Sequence, residues 1–208
     1  MVATDSSPYL FAFANNNLSE FQILYSNKDA LKDFNPVEST FYELVISAHL
    51  NINKKGIILH SALVNINGSG YLFPGTSGAG KSTIARLWHH EKDAEVLADE
   101  RILIRKKGGM LCAFNTPWQG EMGNNKNKGV PLEKIFFIKH GSTNTLKKLS
   151  VPDAANRLLV RCFPTFWHRE GMQFAMDFCA RIASEIECYE FSFVPDSSSV
   201  EFIKQNLS

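Results

Sequence analysis

Gly75-Thr76-Ser77-Gly78-Ala79-Gly80-Lys81-Ser82 fits the pattern G-x-x-x-x-G-K-[ST] at every required position. The glycines allow the backbone to curl so that several N–H groups point at phosphate oxygens. Lys81 then reaches the β- and γ-phosphates, and the Ser82 hydroxyl joins the coordination of Mg²⁺. The flanks supply the context such a loop needs. Tyr71-Leu72-Phe73 reads as a short buried strand entering it. Ile84, Ala85, Leu87 and Trp88 recur at helical spacing after it, the inner face of a helix starting near Lys81. That helix N-terminus adds partial positive charge where the phosphates would lie. The stretch therefore implies a binder of nucleoside triphosphate, or a descendant of one, with Gly75 through Ser82 and the adjoining Thr83 as the cofactor-binding residues.

The chain has 208 residues, enough for one sizeable core plus a small N-terminal elaboration. Its net charge of +1 gives no electrostatic reason to expect nucleic acid or an anionic membrane as partner. No apolar run approaches a membrane span, and the first residues lack the basic-then-apolar pattern of a signal peptide. Cys112, Cys162, Cys179 and Cys188 form no C-x-x-C pair, and three of them sit among apolar residues. Buried free thiols in a reducing compartment are the expectation, and with it a cytoplasmic location.

Along the chain, Tyr9 to Ala14 and Phe21 to Tyr25 read as a hairpin around Asn15-Asn16-Asn17, and Lys28 to Pro36 as a polar connection. Phe41 to Leu50 reads as a helix. Residues 1–55 are expected to be an N-terminal elaboration of hairpin plus helix, and 56–208 the catalytic domain. Gly56 to Ile66 is a strand, and Asn67-Gly68 turns it tightly into the strand feeding the loop. Two antiparallel strands leading into such a loop depart from the usual all-parallel nucleotide-binding sheet. Further strands are expected at Glu95 to Ala98, Ile102 to Arg105, Met110 to Phe114, Lys134 to Lys139 and Cys188 to Val194. Helices are expected from Asp153 to Cys162, Glu170 to Glu187 and Ser198 to Asn206. Residues 119–130, rich in glycine and asparagine, read as a mobile surface loop.

A phosphate loop holds a triphosphate but does not decide its fate. Chemistry needs an acid near the metal and a group that positions the acceptor. Val96-Leu97-Ala98 delivers Asp99 at a strand's C-terminal end, where open α/β sheets bind ligands. Asp99 and Glu100 would face opposite sides if the strand continued, which leaves Asp99 as the favoured metal ligand and Glu100 as its competitor. His60, inside a strand, is either a catalytic contact or a structurally satisfied histidine. Glu121 is either a metal or substrate carboxylate or a solvated rim charge. Arg157 and Arg161, four apart, either meet a phosphate or pair at the surface. Phe163-Pro164-Thr165-Phe166-Trp167 reads as core and corner packing.

Together these residues resemble the catalytic domain of the HPr kinase/phosphorylase family, and in particular its short bacterial relatives. The resemblance runs from Leu59-His60-Ser61-Ala62-Leu63-Val64 through Gly70-Tyr71-Leu72-Phe73-Pro74 into the loop. It continues at Val96-Leu97-Ala98-Asp99-Glu100, Thr116-Pro117-Trp118-Gln119-Gly120-Glu121 and Phe163 to Trp167. It implies an α/β, P-loop HPr kinase/PEP carboxykinase-like fold, a mixed and partly antiparallel sheet flanked by helices. It also implies an ATP- and Mg²⁺-dependent kinase acting on a serine hydroxyl, with Lys81 on the phosphates, Ser82 on Mg²⁺ and Asp99 as general base. Thr83 stands where the bifunctional enzyme has an acid, and Glu100 where it has a second aspartate. The expected acceptor is accordingly a serine of a protein or ribosomally made peptide, with a small hydroxylated metabolite as the alternative. A homo-oligomer is the assembly the resemblance suggests. The competing readings are an ATP-binding regulatory module without kinase chemistry and a small-molecule kinase.

Overall fold

A computed structural model describes residues 10–16, 18–25, 40–118, 120–122 and 128–207. β1 (Leu10–Ala14) and β2 (Phe21–Tyr25) pair antiparallel, with Leu10 opposite Tyr25. Asn15 organises their connection, its Oδ1 accepting from the N–H of Ser19 at 2.9 Å and of Glu20 at 3.3 Å. The hairpin is thus present as read; the reading's Tyr9, and the connection from Lys28 to Pro36, lie outside the described residues. α1 (Thr40–Ile52) follows. Its Asn51 is fully buried and bonded at both ends. Nδ2 donates to Gly56 O at 3.2 Å, while Oδ1 accepts from Thr165 N at 3.0 Å and Thr165 Oγ1 at 2.9 Å. A buried amide so satisfied ties the helix to a segment more than a hundred residues away.

β3 (Ile57–Ile66) and β4 (Ser69–Pro74) form a hairpin across Asn67 and Gly68, both left-handed. α2 (Lys81–His89) buries Ile84, Ala85 and Trp88 as its spacing requires. Then come β5 (Ala94–Ala98), β6 (Arg101–Lys107), β7 (Met110–Asn115), β8 (Gly129–His140) and β9 (Thr145–Lys148). α3 (Val151–Leu159), α4 (Arg169–Glu185), β10 (Glu187–Phe193) and α5 (Ser198–Gln205) complete the order. Ser150 caps α3 by accepting from Asp153 N at 3.3 Å, and His168 Nδ1 caps α4 by accepting from Gly171 N at 3.1 Å.

Strands β3 to β10 make one eight-stranded mixed sheet, which with five helices defines a mixed α/β architecture among the described residues. Two long strands are shared between neighbours. The first half of β3 pairs with β6, and its second half with β4 and β5. The start of β8 pairs with β7, and its later residues with β4 and β10. The pairings β3–β6–β7–β8–β4 therefore close a circuit, while β10 and β9 extend the sheet beyond β8. Because β3 is antiparallel to both β4 and β5, these two run parallel on either side of it. β8 is parallel to β4 and to β10. The C-terminal ends of β4, β5, β8 and β10 consequently share one edge.

Successive residues of a strand face opposite sides, and both faces here are apolar. Leu63, Leu72 and Ile135 pack with α3 and α4 through Leu158, Cys179 and Ile182. Val64, Phe73 and Phe136 pack with α2 and α5 through Trp88, Val200 and Ile203. A third cluster joins Leu50 of α1 to Ile58 and Trp118. All four cysteines are buried free thiols. Among the described residues no helix is long and apolar enough to cross a membrane.

Several boundaries differ from the sequence reading. Residues 129 and 130 belong to β8, where Gly129 fits against the Phe114 ring and pairs with β7. The loop reading for 119–130 therefore stops short of its stated end. β9 was not anticipated, because Thr145-Leu146-Lys147-Lys148 carries one apolar residue and owes its strand to pairing with β10. α3 ends at Leu159, so Arg161 lies beyond it. Phe166 and Trp167 are 76% and 53% exposed, against their reading as core packing; Thr165 is the buried residue of that segment.

Candidate active site

The shared edge of β4 and β5 brings the loop and the acidic pair together. Ser61 of β3 is in register with Pro74, the last residue of β4, and Leu63 with Ala98, the last of β5. The chain leaves both parallel strands at one end, with only β3 between them. Gly80 precedes α2 at φ 97°, and a Cβ there would lie 2.6 Å from Phe193 Cζ. Both constraints demand glycine. Its carbonyl accepts from Ile84 N at 2.9 Å and starts the helix.

A cavity of about 500 Å³ opens at this edge, within the range of small-ligand sites. Its walls include Ser77, Gly78, Gly80, Lys81, Ser82 and Thr83 of the loop and helix start, with His60, Asp99, Glu100 and Glu121. The sequence-predicted catalytic, metal and most loop residues thus meet in one space. Gly75 is buried and is not among the walls, and Thr76 and Ala79 wall a second cavity beside the loop. Gly120 and His140 also line the main cavity and were missed. The glycine was read as part of a polar loop. His140 ends a long strand that sequence spacing alone does not aim at the loop; its Nε2 lies 3.2 Å from Gly78 O and its ring lies tilted against Phe193, 5.2 Å between centroids.

Lys81 is 8% exposed, and its ammonium donates to the carbonyls of Gly75 at 3.1 Å and Thr76 at 3.0 Å. No carboxylate pairs with it among the described residues. Burial, opposed by Glu100, holds its pKa below the ordinary lysine value. A desolvated cation satisfied by two loop carbonyls is suited to meeting an anion.

Asp99 is 4% exposed, and its Oδ1 accepts from Met122 N at 3.2 Å. Gly120, at φ 76°, brings its backbone so close that a Cβ would overlap that same oxygen. Glu100 was expected on the opposite side; the strand ends at Ala98, the alternation lapses, and both acids face the cavity. Glu100 is also held by Arg101, whose Nε pairs with the buried Glu43 of α1 at 2.6 Å. Burial raises the Glu43 pKa in spite of that guanidinium. Glu121 approaches Arg86 at 3.7 Å, both well exposed, a pair worth little. His60 sits opposite Arg101 in the β3–β6 pairing, and its N–H donates to Arg161 O at 2.9 Å. Burial, and then the charge of Lys81, hold the pKa of its imidazole below the ordinary histidine value, which disfavours the charged form.

Among the described residues no group of three or more His, Cys, Asp and Glu side chains could hold a metal by itself. Mg²⁺ bound through one or two carboxylates and ligand phosphates requires no such cage. Ser82, Asp99 and Glu100 supply oxygens of the right kind around one space, and Lys81 a cation for phosphate. The donor set fits a metal–nucleotide pair.

No curated protein matches the chain. Among solved structures, the Hpr(Ser) kinase/phosphatase from Coxiella burnetii is similar at 10% identity and a TM-score of 0.32, over 44% of this chain and 70% of that one. So slight a likeness carries no argument about fold or activity. The family comparison reaches much further. Residues 35–183, which span α1, the loop, Asp99 and the segment to α4, match the family model described as SynChlorMet cassette protein ScmC, and the chain belongs to that family.

Proposed function

We propose that the chain is an ATP- and Mg²⁺-dependent kinase that transfers the γ-phosphoryl group to a hydroxyl, with residues 56–208 forming an HPr-kinase-like catalytic unit and 1–55 an N-terminal elaboration. One observation carries the reading: a buried carboxylate, Asp99, faces the same cavity as the hydroxyl of Ser82 and the ammonium of Lys81, which two loop carbonyls hold and which no carboxylate pairs with among the described residues. Phosphoryl transfer asks little of a protein beyond this, because positioning and charge neutralisation supply most of the rate. Lys81 and the loop N–H groups bind and orient the phosphates. Ser82 and Asp99, with Glu100 beside them, hold the metal, which when bound neutralises charge on the transferring group. Asp99 accepts the proton of the acceptor hydroxyl, and the half-buried His60 orients that hydroxyl. The acceptor is a serine of a protein or peptide.

Two variants test this. Lys81→Ala should weaken ATP binding at least about tenfold, the loss of a charge-assisted contact. Asp99→Asn should keep ATP binding measured without Mg²⁺ and lower transfer of labelled γ-phosphate to a serine-bearing acceptor by about 10²–10⁴-fold, the usual worth of a general base. Unchanged phosphate transfer in Asp99→Asn would overturn the assignment. A regulatory nucleotide-binding module is the second reading, favoured by the hydrogen bond that ties Asp99 to Met122 N. In that case nucleotide would order the segment around residues 120–122, and Asp99→Asn would disturb that ordering with no turnover to lose.

A further inference from the structure

The second cavity, of about 340 Å³, lies on the flank of the loop away from Asp99. Its walls are Thr76 to Ala79, the end of β8 from Phe137 to His140, Glu190 of β10, and Arg157 and Arg161. Its charges do not balance. Glu190 pairs with Arg157 and with Lys139, each at 2.7 Å, so one carboxylate serves two cations. Arg161 makes three cations against that one acid, and no carboxylate pairs with it among the described residues. One of its terminal nitrogens donates to Arg157 O at 2.9 Å, and its guanidinium lies over the Phe137 ring at 5.4 Å. Its Nε is buried with no hydrogen-bond partner.

A half-buried guanidinium with an idle N–H and no counter-ion among the described residues is costly unless something anionic completes it. Burial and the neighbouring Arg157 both work against its charge. The planar fork it presents matches phosphate and carboxylate oxygens. The two cavities share Ser77, Gly78 and His140, so an anion beside Arg161 would adjoin whatever the loop holds.

We propose that Arg161, supported by Arg157, forms a second oxyanion site beside the Gly75–Ser82 loop, taking a phosphate or carboxylate group. The site itself stands independently of kinase chemistry. Its source rests on the functional reading above: either the phosphate chain of the nucleotide or an anionic group on a separate ligand.

Inorganic phosphate is the probe, followed by NMR chemical shifts on the full chain. In Lys81→Ala, where the loop site is disabled, phosphate should still shift the amides around Arg157, Arg161 and Phe137. Adding Arg161→Gln should weaken that binding about tenfold, as loss of one charge-assisted contact does. Glu190→Gln, which frees Arg157 and Lys139, should strengthen it several-fold. Arg157→Gln serves if Arg161→Gln does not fold. Absence of shifts at millimolar phosphate in Lys81→Ala, or equal affinity with and without Arg161, would sink the proposal. If Arg161→Gln alone weakens binding of ADP with Mg²⁺ about tenfold, the site holds the nucleotide. If ADP affinity is unchanged and phosphate still binds above saturating ADP, the site serves a separate ligand. A chain that binds no nucleotide would defeat the kinase reading and leave the phosphate experiment in Lys81→Ala decisive for this one.

Discussion

Asp99 is held by a contact in which the partner's identity is backbone rather than side chain. Gly120 lies against Oδ1, and Met122 N donates to it, so the carboxylate's direction depends on glycine two residues upstream of its donor. If Asp99 is the base proposed above, Gly120→Ala should act on chemistry more than on stability. The left-handed conformation costs alanine about 1–2 kcal/mol, whereas displacing a catalytic group by an ångström costs about 10²-fold in rate. Steady-state phosphate transfer together with a urea melt separates the two effects. His60 has a pH signature. Its folded pKa lies below the ordinary 6.5, so the unfolded chain binds the proton more readily. Its contribution to stability is complete above that value and is lost as pH falls through and below it. The melting temperature should drop as pH falls below the ordinary 6.5, and His60→Gln should flatten that drop. An equal drop in the variant would assign the effect elsewhere.

Among the elements, α1 shows how a helix outside the loop region bears on the site. Glu43 pairs with Arg101, which also holds Glu100, so the helix reaches the cavity through one ion-pair relay. Asn51 binds the same helix to Thr165 and Gly56. Asn51→Ala strands three buried polar groups and should cost about 1–3 kcal/mol in denaturant unfolding. A loss below a few tenths would mean that water replaces the amide. The elements also show where local pattern fails. Strands β3, β4 and β8 carry dense apolar runs and are legible from composition and spacing. β9 has one apolar residue, and its conformation comes from the partner strand. Residues 129 and 130 look like loop because Gly129 carries no side chain, yet that bareness is what admits Phe114.

At the scale of the molecule, the sheet has a double-faced core around β3, β4 and β8, whereas the β1–β2 hairpin stands apart as a two-stranded sheet. Phe13 and Leu24 of that hairpin are more than half exposed, and a hydrogen bond between His49 Nδ1 and Leu18 O at 2.6 Å ties its connection to α1. Local opening follows burial. Amides of residues 10–25 should exchange with solvent orders of magnitude faster than those of β3, β4 and β8, and comparable protection would contradict this division. Sequence by itself determined the loop's conformation, the helix after it and the antiparallel entry, because each is set by residues adjacent in the chain: glycines that permit left-handed turns, a lysine at a helix start, and apolar spacing. It also nominated Asp99, since an acid closing an apolar strand is a local signal. What tertiary structure alone decided is which side chains share a space. That Asp99 and Glu100 face one cavity, that Gly120 braces the first of them, and that Arg161 stands beside Phe137 with no carboxylate partner among the described residues all follow from strand order across β5, β3, β4, β8 and β10. Strand order is a matter of long-range pairing and burial, to which no stretch of neighbouring residues holds the key.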